Sequence, residues 1–226
     1  LLLSIYLYLF SYIDVIRWMN LVAVLGITVI LFLVKVNRWL LCGLTFLIIA
    51  MACRAKIEPH HYSFYIGPAY EISLGKSLLA DVPSQYGYLS VHFVEFFLAP
   101  FGVNLRSFHL LNRVLFGLYF ILFGVIYYKV TNNLKLSSIF VTITALFQTW
   151  FSGAEYLYPS TGPLRFGLGL LIPLLTLFTS GRLRLWLVSL VASISIYWSP
   201  ETAIYVVPAF IFTQLRFKES LVPLVA

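Results

Sequence analysis

The stretch Lys56–Gly87 reads KIEPHHYSFYIGPAYEISLGKSLLADVPSQYG, the longest polar interruption in an otherwise apolar chain. It carries three of the eight carboxylates, Glu58, Glu71 and Asp81, and two of the four histidines, His60 and His61. Apolar runs flank it on both sides. Polar residues gathered between runs that suit a bilayer mark a loop held at a membrane surface. The stretch therefore reads as the first large outer loop, over 56–106, of an all-α, polytopic helical membrane protein.

Composition points the same way. Hydrophobic residues make up 61% of the chain and charged residues 10%, with a mean hydropathy of +0.95. A soluble domain carries about 25% charged residues, so this chain has too few to cover a wetted surface. Aromatics at 18% fit a bilayer, because Trp and Tyr collect at headgroup level. The apolar runs are continuous rather than alternating, which argues against a transmembrane barrel. Cys42 and Cys53 share one run and read as small packing residues. The net charge of +7 is too sparse and too distributed to track nucleic acid.

Counting runs against the roughly 20 residues a span needs gives Leu21–Val34, Trp39–Ala55, Ser107–Tyr128, Leu136–Phe151, Leu164–Thr179, Leu185–Trp198 and Thr202–Leu215. These are about seven spans in one transmembrane domain over 1–226. Leu1–Ile13 reads as the remnant of another, and a further run begins at Leu221–Ala226, as in an N-terminal piece of a longer chain. No signal peptide is recognisable. Leu89–Phe101 is short and suits an interfacial helix, and Tyr70–Asp81 reads as an amphipathic helix lying on the membrane.

Orientation follows from the basic residues. With Lys56–Gly87 outside, the inner connections carry Lys35 and Arg38, Lys129 and Lys135, Arg182 and Arg184, and Arg216 and Lys218. The outer connections hold six of the eight acidic residues, all but Glu95 and Glu219. One orientation thus satisfies the positive-inside rule along the whole chain. The reactive and turn-forming residues gather outside. Few ionisable groups fall mid-span, where a transporter would place them.

Each candidate residue has two readings. Glu58 is either a solvated loop carboxylate or a general base held by Pro59, its pKa raised by burial near lipid. His60 and His61 offer no third metal ligand on one element, so phosphate contact or an interfacial structural role suits them better. No cofactor is required, and a divalent cation stays open. Asp81, Gln85 and Tyr86 form either a plain turn or a sugar-binding one. Arg165 either grips a phosphate bidentately or pairs with Glu155 or a lipid phosphate. Glu201 is either a further outer carboxylate at the site or a first-turn residue suited to a helix dipole. P-loop, GxSxG, HExxH and dinucleotide fingerprints are missing.

These residues together resemble the GT-C superfamily of integral membrane glycosyltransferases, in particular bacterial-type members of its protein-mannosyltransferase-like and aminoarabinose-transferase-like branch. The likeness runs from Leu40 to Phe151: the span Trp39–Ala55, the acid Glu58, the juxtamembrane Tyr70–Asp81, then Phe101-Gly102, Arg106 and His109-Leu-Leu-Asn-Arg113. Glu58 stands where that branch usually has Asp, and Ser84-Gln-Tyr-Gly87 replaces its His/Lys-Pro-Pro segment. The resemblance implies a bacterial plasma-membrane enzyme of cell-envelope polysaccharide synthesis, active on the periplasmic face. It implies transfer, with inversion, of a hexosyl group from a polyprenyl-phosphate donor to an acceptor hydroxyl. Glu58 would be the base; Arg165 and His60 would neutralise the leaving phosphate; Asp81 and Gln85 would orient sugars. A flippase for lipid-linked sugars is the rival expectation.

Overall fold

The computed structural model describes residues 26, 37–53, 56–57, 59–146, 156–157 and 162–217, with backbone alone at 51, 56–57, 59–62, 146 and 156–157. The described part is all-α. Its helices are α1 (Arg38–Ala52), α2 (Pro59–Ser73), α3 (Tyr88–Leu98), α4 (Leu105–Thr131), α5 (Leu134–Leu146), α6 (Pro163–Phe166), α7 (Leu168–Phe178), α8 (Gly181–Trp198) and α9 (Pro200–Phe217). A two-residue parallel ladder pairs β1 (Lys56–Ile57) with β2 (Tyr156–Leu157), in the register Lys56 to Tyr156 and Ile57 to Leu157. It ties the segment that follows α1 to the segment that precedes α6.

The long central helix shows how sequence sets element. Asn104 caps α4: its side chain accepts from the Ser107 amide at 3.1 Å, and Ser107 Oγ accepts from the Asn104 amide at 3.3 Å. This reciprocal box satisfies two otherwise orphaned donors. The helix stops at Asn132, in the left-handed conformation that asparagine tolerates, with its amide on the Tyr128 carbonyl at 2.7 Å. Phe108, Asn112, Phe116 and Phe120, spaced four apart, line its buried face. Leu110, Val114, Leu118, Ile121 and Val125 form an outward stripe that is equally apolar and exposed. Helix α5 returns alongside, with Ser137 Oγ donating to the Gly124 carbonyl at 2.7 Å. A Cβ on Gly124 would come within 2.9 Å of Val141, so a small residue lets the two backbones approach.

Several boundaries differ from expectation. The amphipathic helix expected over Tyr70–Asp81 is instead α2, which begins at Pro59, a residue preorganised for the first helical position. Gly75 ends it at φ +89: its amide bonds to the Ile72 carbonyl at 2.8 Å, and the Lys76 amide to the Glu71 carbonyl at 3.2 Å. That is the Schellman pattern. The Lys76 ammonium also pairs with the Glu71 carboxylate. Residues 74–82 are turns. The run Leu164–Thr179 is divided between α6 and α7 at Gly167, where the Leu170 amide bonds three residues back, to the Gly167 carbonyl, at 3.1 Å.

Among the described residues, α4 alone is long and apolar enough to cross a membrane by length and composition, against the seven spans expected. Helices α1, α3, α5 and α7 are apolar but shorter. Helices α8 and α9 each reach 18 residues, but carry Arg182 and Arg184, and Glu201 and Arg216, near their ends.

The bundle has two chemically different ends. Lys129 lies 5.3 Å from the Phe178 ring, and Arg184 lies 4.0 Å from the Phe217 ring. These contacts gather the ends of α4 and α7 and the start of α8 with the end of α9. Leu41 and Lys135 line one end of the α1–α5 groove, Ile48 and Thr142 its other end, so Arg38 and Lys135 share the basic end. The four described carboxylates belong toward the opposite end: Glu71 on α2, Glu95 on α3, Asp81 in the turns between those helices and Glu201 in the first turn of α9.

Candidate functional site

At the carboxylate-bearing end, three segments distant in sequence meet. The turn Ser84–Gly87 seats against the junction of α8 and α9. Ser84 Oγ donates to the Gly87 carbonyl at 2.8 Å. Gly87 has φ +99, and a Cβ there would lie 2.0 Å from the Trp198 carbonyl oxygen. Only glycine permits both the backbone angle and that approach. From the same junction, Trp198 Nε1 donates to the Leu164 carbonyl at 2.8 Å, and Thr202 Oγ1 donates to the Arg165 carbonyl. The short helix α6 is thereby pinned, and its Arg165 is aimed.

The junction itself is legible as a helix start. Ser199 Oγ accepts from the Thr202 amide at 3.1 Å, Pro200 occupies the first helical position, and Glu201 sits in the first turn. Such an order satisfies an orphan amide and places negative charge where the helix dipole favours it.

Arg165 Nη2 lies 2.5 Å from Glu201 Oε1, with the two side chains 19% and 37% exposed. The guanidinium sits 5.1 Å from the centre of the Tyr86 ring. Tyr86 is buried and stacks on Tyr65, with ring centres 4.7 Å apart and planes within 13°. Burial works to raise the Glu201 carboxyl pKa, but its own backbone amide, Arg165 and Ser199 outweigh burial and hold it below the usual carboxylate value. Burial pushes the Tyr65 phenol well above its ordinary range; the Arg165 charge pulls the other way, while Tyr86 and Glu201 reinforce the rise. Tyr65 therefore stays protonated, a hydrogen-bond donor, at any working pH.

The expected site residues fall into three groups. Tyr86, Arg165 and Glu201 are brought together. Tyr86, read from sequence as part of either a plain turn or a sugar-binding one, has a buried ring that stacks on Tyr65 and lies under the arginine. Arg165 pairs with Glu201, a contact that neither reading of this arginine, the phosphate grip or the pairing with Glu155 or a lipid phosphate, had named. Asp81 closes its own turn, accepting from the Ser77 amide at 2.9 Å, and holds Leu79 within a loop where that residue takes φ +71. Gln85 is exposed beside Tyr86. His60 and His61 lie in the first turn of α2, which carries Tyr65 one turn further on. Glu58 and Glu155 lie outside the described residues, although their chain neighbours form the β1–β2 ladder.

Tyr65, Trp198 and Thr202 were not singled out from sequence. Nothing local marks Tyr65 among the many aromatics; only the fold shows that it lies under Tyr86. Among the described residues no three of His, Cys, Asp and Glu gather as a metal site.

Beside α6 runs an apolar groove of about 190 Å³, lined by residues including Leu115, Leu118, Leu164, Leu168 and Trp198. Arg165 follows directly on Leu164, so a fixed cation and an apolar trough share one turn of helix. Comparison with protein-family models, with curated proteins and with solved structures returned no match.

Proposed function

We propose that the chain forms part of a multi-pass membrane glycosyltransferase that takes a sugar from a polyprenyl-phosphate donor and passes it to an acceptor hydroxyl on the outer face. The observation that carries this reading is the placement of Arg165: a sheltered guanidinium at the carboxylate-bearing end, one residue from an apolar groove. A lipid-borne phosphate has that same division, one anionic head on an apolar tail. A guanidinium neutralises a departing phosphate where low dielectric strengthens the contact.

Membrane insertion is supported by the outward apolar stripe of α4 and by exposed Trp186, Leu190, Tyr205 and Phe212 on α8 and α9. Such faces are costly in water and at home in lipid. The gathering of Arg38, Lys129, Lys135, Arg182, Arg184 and Arg216 at the end without described carboxylates supports a cytoplasmic placement for it and a periplasmic one for the site. The transfer step rests on the GT-C resemblance, with Glu58 withdrawing the acceptor proton as the new glycosidic bond forms and the bond to the lipid phosphate breaks.

The test is transfer of radiolabelled sugar from polyprenyl-phosphate donors by membranes containing the full-length protein. Wild-type protein should transfer label, Glu58→Gln should lose the chemical step, and Arg165→Gln should lose donor use. Label that crosses the membrane without joining an acceptor would instead identify a flippase. Transfer unchanged in both variants would remove this assignment.

A further inference from the structure

Tyr65 is fully buried, and its hydroxyl makes no hydrogen bond among the described residues. A buried hydroxyl left unpaired costs stability that phenylalanine at the same place would not. Such a group calls for an explanation. Here the Tyr65 ring stacks on the Tyr86 ring over which Arg165 also lies, and the hydroxyl is near enough for the charges of Arg165 and Glu201 to act on it. Glu201, for its part, is only partly covered and reaches Arg165 from a helix first turn.

We propose that the Arg165 guanidinium and the Tyr65 hydroxyl form a two-donor oxyanion site whose place is held, in the empty protein, by the Glu201 carboxylate. An entering phosphate takes over the guanidinium from Glu201 and accepts a hydrogen bond from Tyr65; Glu201 swings toward solvent. When the anion leaves, the carboxylate returns. Granted the donor-binding role proposed above, the exchange has a consequence for turnover. A donor phosphodiester carries one negative charge, and the lipid phosphate released after transfer carries nearly two. Arginine alone would hold the product more tightly than the substrate. A carboxylate competing for the same guanidinium offsets that preference and speeds release.

The experiment is equilibrium binding of a radiolabelled prenyl monophosphate to the full-length protein in lipid nanodiscs, with the matching prenyl alcohol as the uncharged control. Removing the competitor in Glu201→Gln should tighten phosphate binding roughly fivefold to tenfold, the range for a partly exposed ion pair. Glu201→Asp, whose shorter arm reaches less well, should fall between the two. Tyr65→Phe should weaken binding roughly tenfold while leaving the melting temperature equal or higher, a combination that a purely structural tyrosine would not produce. Alcohol binding should not change in any variant.

Phosphate affinity unchanged in both Glu201 variants, or unchanged in Tyr65→Phe, would overturn the two-donor exchange. If Arg165→Gln still abolishes binding in that case, the donor-binding role survives without it. If Arg165→Gln binds as wild type does, that role fails as well.

Discussion

Gly87→Ala is the sharpest single perturbation of this architecture, because one methyl group meets two separate penalties. At φ +99 and ψ 168 the backbone occupies a region open to glycine almost alone, which costs an alanine about 1–3 kcal/mol. The added Cβ would also lie 2.0 Å from the Trp198 carbonyl oxygen and 2.8 Å from Ser199 Cα, both backbone atoms that no rotamer change can move. Relieving that overlap by shifting the α8–α9 junction adds about 1–3 kcal/mol. Two other glycines separate the terms. Gly75 has φ +89 but nothing within 4 Å of its missing Cβ, so Gly75→Ala should show strain alone. Gly67 lies inside α2 with neither positive φ nor neighbour, so Gly67→Ala should be neutral or stabilising by up to about 1 kcal/mol. In a chain of this size each kcal/mol shifts the melting temperature by about 2–4 °C. Thermal unfolding in detergent should therefore rank Gly67→Ala at or above wild type, Gly75→Ala below it, and Gly87→Ala lowest, down by roughly 10 °C. Gly87→Ala melting with wild type would refute the packing of the Ser84–Gly87 turn on Trp198 and Ser199.

Other outcomes follow from the same contacts. Phe116→Ala, at a fully buried site on α4, should cost about 3–5 kcal/mol in denaturant unfolding. Asn104→Ala removes the capping box of α4 and should cost about 1 kcal/mol, with faster amide exchange confined to the first turn. The folded Glu201 carboxyl titrates below its ordinary value of 4.5, so its stabilising effect is complete above that value and is lost as pH falls through the lower folded one. A pH series of melting temperatures should show an acid limb in wild type that is shallower in Glu201→Gln.

The all-α class and the positions of most helices were legible because their signals are local. Ser199-Pro-Glu201 reads as a helix start, and the apolar runs Ser107–Tyr128 and Leu185–Trp198 fall close to where α4 and α8 lie. The end of α2 was misplaced because Gly75 works through its backbone angle, while the apolar residues after it continued to suggest a helix. The polar turns Ser84–Gly87 and Ser199–Glu201 were marked as loops on one face, but nothing in either sequence says that Gly87 lies against Trp198. Arg165 stood out by opposing the charge trend of its face. Its contact with Glu201 did not, since the two are far apart in sequence and only the fold brings them together. Tyr65 was hidden altogether: one tyrosine among 15 acquires meaning only from the ring stacked on it.

The claim underlying all of this is that the bundle sits across a membrane with the Tyr86–Arg165–Glu201 cluster on the non-cytoplasmic side. Site-directed labelling tests it most directly, using Gln85→Cys and Arg182→Cys, both at exposed positions at opposite ends, in a background with Cys42 and Cys53 replaced. A membrane-impermeant maleimide should label Gln85→Cys only in right-side-out vesicles and Arg182→Cys only in inverted ones. Labelling of both from the same side, or recovery of the protein in the soluble fraction without detergent, would contradict it.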